Sequence, residues 1–281
     1  MLRTVPLNIS PSDYEYGPDT QARSRLSRLH ELREFSREFI CRVAEPWISG
    51  ELAGNGLRVT QTQLPWLHSV VVEVAALLDV PVPHVFVRQD PFLNAFTHGV
   101  GNQAFLAITH ALLEQLEGLE LRFIIGHEIG HIKSQHVLYT SMASYLFDQA
   151  ARARNRVPSS LLAELTEWQR QSEVTADRAG LLICGDVDAA CTALLTTAIG
   201  SRKLSTQVDV GEFVENQELS IEFNPIARRR ELSQSHPFMP KRIRELLAFA
   251  SSEHYRSLLS NGITLGESRE HIGDSAQSQR M

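Results

Sequence analysis

Near the middle of the chain, residues 123–132 read "FIIGHEIGHI". Two glycines, Gly126 and Gly130, stand four apart in an otherwise apolar run, and two histidines, His127 and His131, repeat the same spacing one place on. A helical glycine costs about 1 kcal/mol relative to alanine. A pair of them is therefore expected only where another segment must come very close. Residues four apart share one face of a helix, so the run predicts a buried helix with both imidazoles aimed the same way. Any fold for this chain has to be built around that helix.

The flanking pattern switches between helical and strand periods. Leu26, Leu29, Leu32, Phe35, Phe39 and Val43 predict an amphipathic helix ending before Pro46, and a second helix is expected over about 64–78, stopped by "DVPVP". "HVFVR", "NAFTHG" and "QAFLAI" are short and β-rich with turn residues between them, which predicts a small sheet of about three strands. Helices are expected over about 109–117 and 119–138, the latter carrying the glycine–histidine run, and then over about 140–153, 159–183 and 187–200. Residues 201–235 are polar and poorly periodic, and a last helical segment begins near Pro240. The class is α+β, predominantly helical, with one small sheet. Residues 1–20, rich in Pro, Asp and Tyr, read as an irregular arm; 21–260 form the domain. Residues 261–281 have almost nothing to bury and read as a disordered tail.

With 281 residues, 43% of them hydrophobic, the chain can bury one proper core. A net charge of −6 without a long basic run argues against nucleic acid as a partner. Cys41, Cys184 and Cys191 form no C-x-x-C pair, so they read as isolated thiols in a reducing compartment. The first twenty residues hold no apolar run of signal-peptide length. The most apolar windows are interrupted by Glu73 and Asp79 and by Asp186 and Asp188, so no integral membrane segment is expected. These features together suggest a soluble, cytoplasmic protein.

The paired histidines raise the question of a metal. Glu128 is turned about 100° from His127 around the helix, too far to share the same ligand position but within reach of a water on a metal. The blander alternative is a core helix with two hydrogen-bonded histidines. A catalytic zinc needs a third protein ligand and an open position. The long continuation, with glycine three and histidine six places after the second histidine, is absent: Ser134 stands where that glycine belongs, and His136 falls one place short. A carboxylate from another helix remains, with Asp148, Glu164, Glu167, Glu173 and Asp177 as candidates. Only Glu173 and Asp177, in "SEVTADRAG", repeat the four-residue spacing, and the small apolar neighbours "AGLLI" argue against a solvated acidic face. Glu173 completes a His–His–Glu set. Asp177 can orient a ligating imidazole through its other ring nitrogen.

"NAF" (94–96), "ELRFIIGHEIGHI" (120–132), "EVTADRAG" (173–180) and "SHPFMPKRI" (235–243) follow one another in that order. Over about residues 60–250 the chain closely resembles the gluzincin zinc metallopeptidases that include the CAAX prenyl protease, HtpX and Oma-type proteases. The resemblance implies a zincin-like domain with one zinc per chain at His127, His131 and Glu173, and Glu128 as the catalytic base. It further implies that His236 and Arg242 stabilise the reacting oxygen and that Asn94 positions the substrate backbone. The expected activity is a metalloendopeptidase acting on extended or unfolded polypeptide laid along an edge strand. Many relatives carry transmembrane helices that are not seen here, so prenyl-peptide processing and membrane quality control are not carried over. His98 stands where relatives more often have a small residue, although a lone histidine of this kind is more often incidental. The rival reading from another class is a metal-binding pseudo-peptidase or interaction module, and the intact Glu128 speaks against it. An exopeptidase is the weaker rival, since nothing clearly anchors a free terminus.

Overall fold

The computed structural model describes residues 9–27, 42, 45–100, 103–143 and 159–262. After one 3-10 turn at Pro11–Asp13, helix α1 (Gly17–Ser27) begins inside the segment expected to be an irregular arm. That expectation is corrected for residues 9–20, because Ile9, Tyr14 and Asp19 are all buried. No apolar period marks the segment since it is held largely by polar contacts. The Tyr14 hydroxyl meets Ser134 Oγ at 3.0 Å, and Thr175 donates to Asp19 at 2.6 Å. The helix expected from Leu26 to Val43 falls mostly outside the described residues; Leu26 itself closes α1 against Trp168 and Tyr139. Helix α2 (Glu45–Asn55) runs through Pro46, which sits in the first turn, where a missing N–H breaks no helical hydrogen bond.

Strand β1 (Gly56–Arg58) follows at once, then α3 (Pro65–Leu77), β2 (His84–Arg88), β3 (Ala95–Val100) and β4 (Gln103–Thr109). The sheet order is β1-β2-β4-β3, with β2 and β4 parallel and the outer pairs antiparallel. β1 is a fourth strand beyond the three expected, too short at three residues for an alternation to show. β3 pairs only with β4, so among the described residues it is an edge strand.

Next come α4 (His110–Gln115) and the central helix α5 (Gly118–Lys133). The helix expected to reach residue 138 ends five residues early. Gln135 takes a left-handed φ of 59°, and helical backbone resumes at 137–143. Of the helix expected over 140–153, residues 144–153 lie outside the described residues. α6 (Ser159–Cys184) and α7 (Val187–Ile199) follow nearly as expected. The polar stretch 201–235 is helical as well, in α8 (Arg202–Ser205), α9 (Val210–Glu222) and α10 (Pro225–Leu232). These helices hide from periodicity because side-chain caps from Ser201, Asp209 and Asn224 start them and little of them is buried. α11 (Met239–Ala250) and α12 (Glu253–Gly262) close the described chain; residues 263–281, most of the expected tail, lie outside it.

The core lies around α5. Phe123, Ile125 and Ile129 pack with Leu67 and Val74 of α3, Ile108 of β4, Leu181 and Ile183 of α6, Leu194 of α7 and Leu246 of α11. Each such side chain contributes about 1.5–3 kcal/mol of burial. The glycines do what their cost implied: a Cβ on Gly126 would lie 2.8 Å from Ile183 Cβ. α5 and α6 therefore cross almost in backbone contact. Among the described residues no helix is long and apolar enough to cross a membrane.

Candidate active site

That crossing brings the two motif histidines against the acidic face of α6. His127 Nε2 and His131 Nε2 stand 3.2 Å apart. Glu173 Oε2 lies 3.5 Å from the first and Glu173 Oε1 3.4 Å from the second. All three residues are buried, and one donor atom from each lies within 4.8 Å of the others. Two imidazole nitrogens on one zinc at about 2.0–2.1 Å in a tetrahedral arrangement stand about 3.3 Å apart, so the spacing here fits a shared ion. The charge balance fits too. Burial alone would lower the His127 imidazole, but Asp177 and Glu173 raise it to about 10. The donor set draws positive charge to the point that a divalent cation would fill.

The other expected residues fall around this centre. Asp177 Oδ1 is 2.9 Å from His127 Nδ1, an arrangement that would turn the ring's Nε2 to a cation held at the centre. Arg242, buried at the start of α11, donates to both Asp177 oxygens at 2.9 and 2.6 Å, and its Nη1 is 3.5 Å from Glu173 Oε2. Burial would raise both carboxyls. For Asp177 the guanidinium outweighs it, and for Glu173 His236, His127 and His131 do, so both are held below the usual carboxylate range. His236 is mostly exposed, with Nε2 3.6 Å from Glu173 Oε2, on the open side of the site. Asn94 is exposed at the entrance to β3, tied through its backbone to Thr109.

Of the remaining carboxylate candidates, Glu164 and Glu167 are exposed, Glu167 pairing with Arg25 at 2.8 Å, and Asp148 lies outside the described residues. His98 points to Ser141, 3.3 Å away, on the opposite side of β3 from Thr97. Cys184 and Cys191 are buried free thiols pushed up to about 12 by burial, which removes them as nucleophiles.

Three residues near the centre were not among the expected site residues. Thr97 Oγ1 donates to Glu128 Oε2 at 2.7 Å, fixing the carboxylate that follows His127 on α5. Nothing in the spacing marks Thr97; only the pairing of β3 alongside α5 brings it there. His136, set aside above as a ligand, lies with its Nδ1 2.9 Å from His131 Nδ1. Asp19 touches His136 from the far side, Oδ2 to Nε2, at 3.1 Å.

Residues 61–250 match the sequence model of peptidase family M48. The chain is 29% identical over 273 residues to a plastoglobule-localized metallopeptidase 48 of Arabidopsis thaliana, covering 92% of this chain and 79% of the relative. It is also 38% identical over 90 residues to a protease HtpX homolog of Streptococcus pyogenes, covering 32% of this chain and 30% of the relative. No solved structure matches the chain.

Proposed function

We propose that this chain, which belongs to peptidase family M48, is a zinc-dependent metalloendopeptidase with one zinc per chain, acting on extended or unfolded polypeptide. The observation that carries the reading is the convergence of His127, His131 and Glu173 within 4.8 Å, with Glu128 beside them and turned to a different partner. Bound at those three residues, zinc would supply a Lewis acid and bring the pKa of a water on it from about 16 to about 7.

The chain's own groups do the rest. Glu128 accepts a proton from the attacking water as the water's oxygen adds to the scissile carbonyl. When the peptide C–N bond breaks, the same carboxyl passes that proton to the leaving amine. Thr97 holds the Glu128 carboxylate in one orientation. His236, on the open side and next to Glu173, donates to the oxyanion of the tetrahedral stage. Arg242 has Nε and Nη2 engaged by Asp177, while its Nη1 stands 3.5 Å from Glu173 Oε2, so its share in oxyanion stabilisation, expected from the resemblance, comes through its charge and the N–H groups of Nη1. Among the described residues β3 has a strand partner on one side only, so its start offers an edge to a substrate backbone, with Asn94 at its entrance. Main-chain pairing of that kind needs no free terminus, which favours internal cleavage. The cytoplasmic location expected from the sequence belongs to the same reading, and cell fractionation tests it.

The deciding experiment is zinc analysis of the purified protein together with cleavage of unfolded casein, for wild type, chelator-treated wild type and Glu128→Gln. We expect one zinc per chain, and cleavage lost on chelation and in the variant. A protein that holds no zinc, or a Glu128→Gln variant that cleaves as well as wild type, would defeat the reading.

A further inference from the structure

The two ligating imidazoles differ in what backs them. His127 Nδ1 rests directly on the Asp177 carboxylate at 2.9 Å. His131 Nδ1 instead meets another imidazole nitrogen, His136 Nδ1, at 2.9 Å. His136 is 0% exposed, and so is Asp19, whose Oδ2 lies 3.1 Å from His136 Nε2. Thr175 donates to the same Asp19 oxygen at 2.6 Å, and the backbone N–H of Tyr16 donates in turn to Thr175.

Hydrogen-bonding roles along this chain of groups are forced from either end. For His131 to present a lone pair on Nε2, its proton must sit on Nδ1 and be donated to His136 Nδ1. His136 Nδ1 must then be bare, which leaves the proton of that ring on Nε2, against the Asp19 carboxylate. This tautomer gives His131 Nδ1 an acceptor and turns the His136 Nε2 proton toward the Asp19 carboxylate, 3.1 Å away but without the alignment of a full hydrogen bond. The break after α5 makes it possible: on a continuing helix His136 would be turned about 140° around the axis from His131. The left-handed Gln135 folds the chain back instead, so that His136 N–H donates to His131 O at 2.9 Å and the two rings meet. The N-terminal segment then locks the same corner, as Arg23 donates to Ser134 O at 3.1 Å and Tyr14 meets the Ser134 hydroxyl.

We propose that His136 and Asp19 are positioning residues for the metal site, acting through His131: the pair sets the tautomer and angle of that ligand as Asp177 does for His127. Asp19 lies upstream of residues 61–250, so a segment outside the family match completes the centre. The inference rests on the zinc reading above. Loss of an outer hydrogen-bond partner of a ligating histidine typically weakens metal binding about 10- to 100-fold.

The test is zinc affinity of the full-length protein by competition with a chromophoric chelator, with the visible spectrum of the cobalt(II)-substituted protein as a second readout. The variants are His136→Phe, His136→Gln and Asp19→Asn, with wild type and His127→Ala as references. Phenylalanine keeps a ring against Trp168 but removes the acceptor, whereas glutamine keeps an acceptor for His131 and a donor for Asp19. We expect His136→Phe to bind zinc about 10- to 100-fold more weakly with an altered cobalt spectrum, and Asp19→Asn about 10-fold more weakly. His136→Gln should recover most of the affinity. A role in packing alone predicts the reverse order, phenylalanine above glutamine, and that order would overturn the proposal. Should His136→Phe fail to fold, Asp19→Asn decides, and wild-type affinity and spectrum there overturn it equally. A wild type that binds no zinc, or binds it as well after His127→Ala, would instead remove the functional reading beneath.

Discussion

Gly130 lies so close to Ala179 that a Cβ added to it would stand 2.5 Å from the alanine's own. This contact sets the spacing of α5 and α6 at the level of His131 and Glu173. His131 follows Gly130 on one helix, and Ala179 lies six residues after Glu173 on the other. The spacing of the three candidate ligands is therefore as much a property of two missing side chains as of three present ones.

Gly130→Ala should accordingly be destabilising, although alanine is the better helix former by about 1 kcal/mol. Forcing a methyl into a packed crossing costs about 1–3 kcal/mol, so the two effects oppose and overpacking wins at a 2.5 Å approach. The expected result is a lower melting temperature and weaker zinc binding, measured by calorimetry and chelator competition. Unchanged values for both would show that the helices can part without disturbing the ligands.

Glu128→Gln separates holding a metal from using it. The side chain is held by Thr97 and is not one of the three residues whose donor atoms converge, and glutamine keeps its size while losing the capacity to take a proton. Zinc content and melting temperature should stay near wild type while turnover of casein falls by about 10²-fold or more. Loss of zinc in this variant would mean that Glu128 is a ligand.

Arg242→Met tests what the buried guanidinium contributes. It faces Asp177 and Glu173 together, and burial strands both carboxylates if it is removed. Breaking a buried ion pair from one side costs about 3–5 kcal/mol. The loss should be larger in metal-free protein than in zinc-loaded protein, because a divalent cation neutralises part of the same charge. Equal losses in denaturant titrations of the two forms would contradict that account.

The parts of this site that repeat along one helix are legible in the sequence. His127, Glu128 and His131 announce themselves by spacing, and Glu173 with Asp177 by repeating it among small apolar residues. What stays hidden depends on tertiary placement. Thr97 reaches Glu128 only because β3 runs beside α5, and Asp19 reaches His136 only because a segment without apolar period docks through polar contacts. His136 is visible in the sequence, but a helix continued to residue 138 would carry it away from His131; a single left-handed residue brings it back.

His98 gives the fold a sensitivity to acid. Its ring stands edge-on to Phe96 and meets Ser141 Oγ at 3.3 Å, and burial pushes its pKa down to about 4. An unfolded histidine takes up a proton below about 6.5, while the folded one resists until about pH 4. Between those values the unfolded chain binds more protons, so stability falls as pH falls through that window and is unaffected by this group above it. His98→Gln keeps a polar contact for Ser141 and cannot titrate. Its stability should decline less than that of wild type between about pH 6.5 and 4, and parallel curves would assign the acid loss elsewhere.

His236→Ala addresses the step that the buried groups cannot perform. The other imidazole and guanidinium groups in contact with Glu173 are engaged: His127 by Asp177, His131 by His136, Arg242 by Asp177. Among them His236 alone combines exposure with a place 3.6 Å from Glu173, where a carbonyl approaching the ligands would develop its charge. Its loss should leave the melting temperature unchanged, because it is exposed, and zinc content at saturating zinc near wild type, although its charge helps hold Glu173 ionised. The rate should fall with kcat rather than with KM, by roughly 3 kcal/mol if it is the principal donor to the oxyanion. A rise in KM at constant kcat would mean that it holds the substrate in the ground state, and the developing charge would then have to be met by a group that moves on binding.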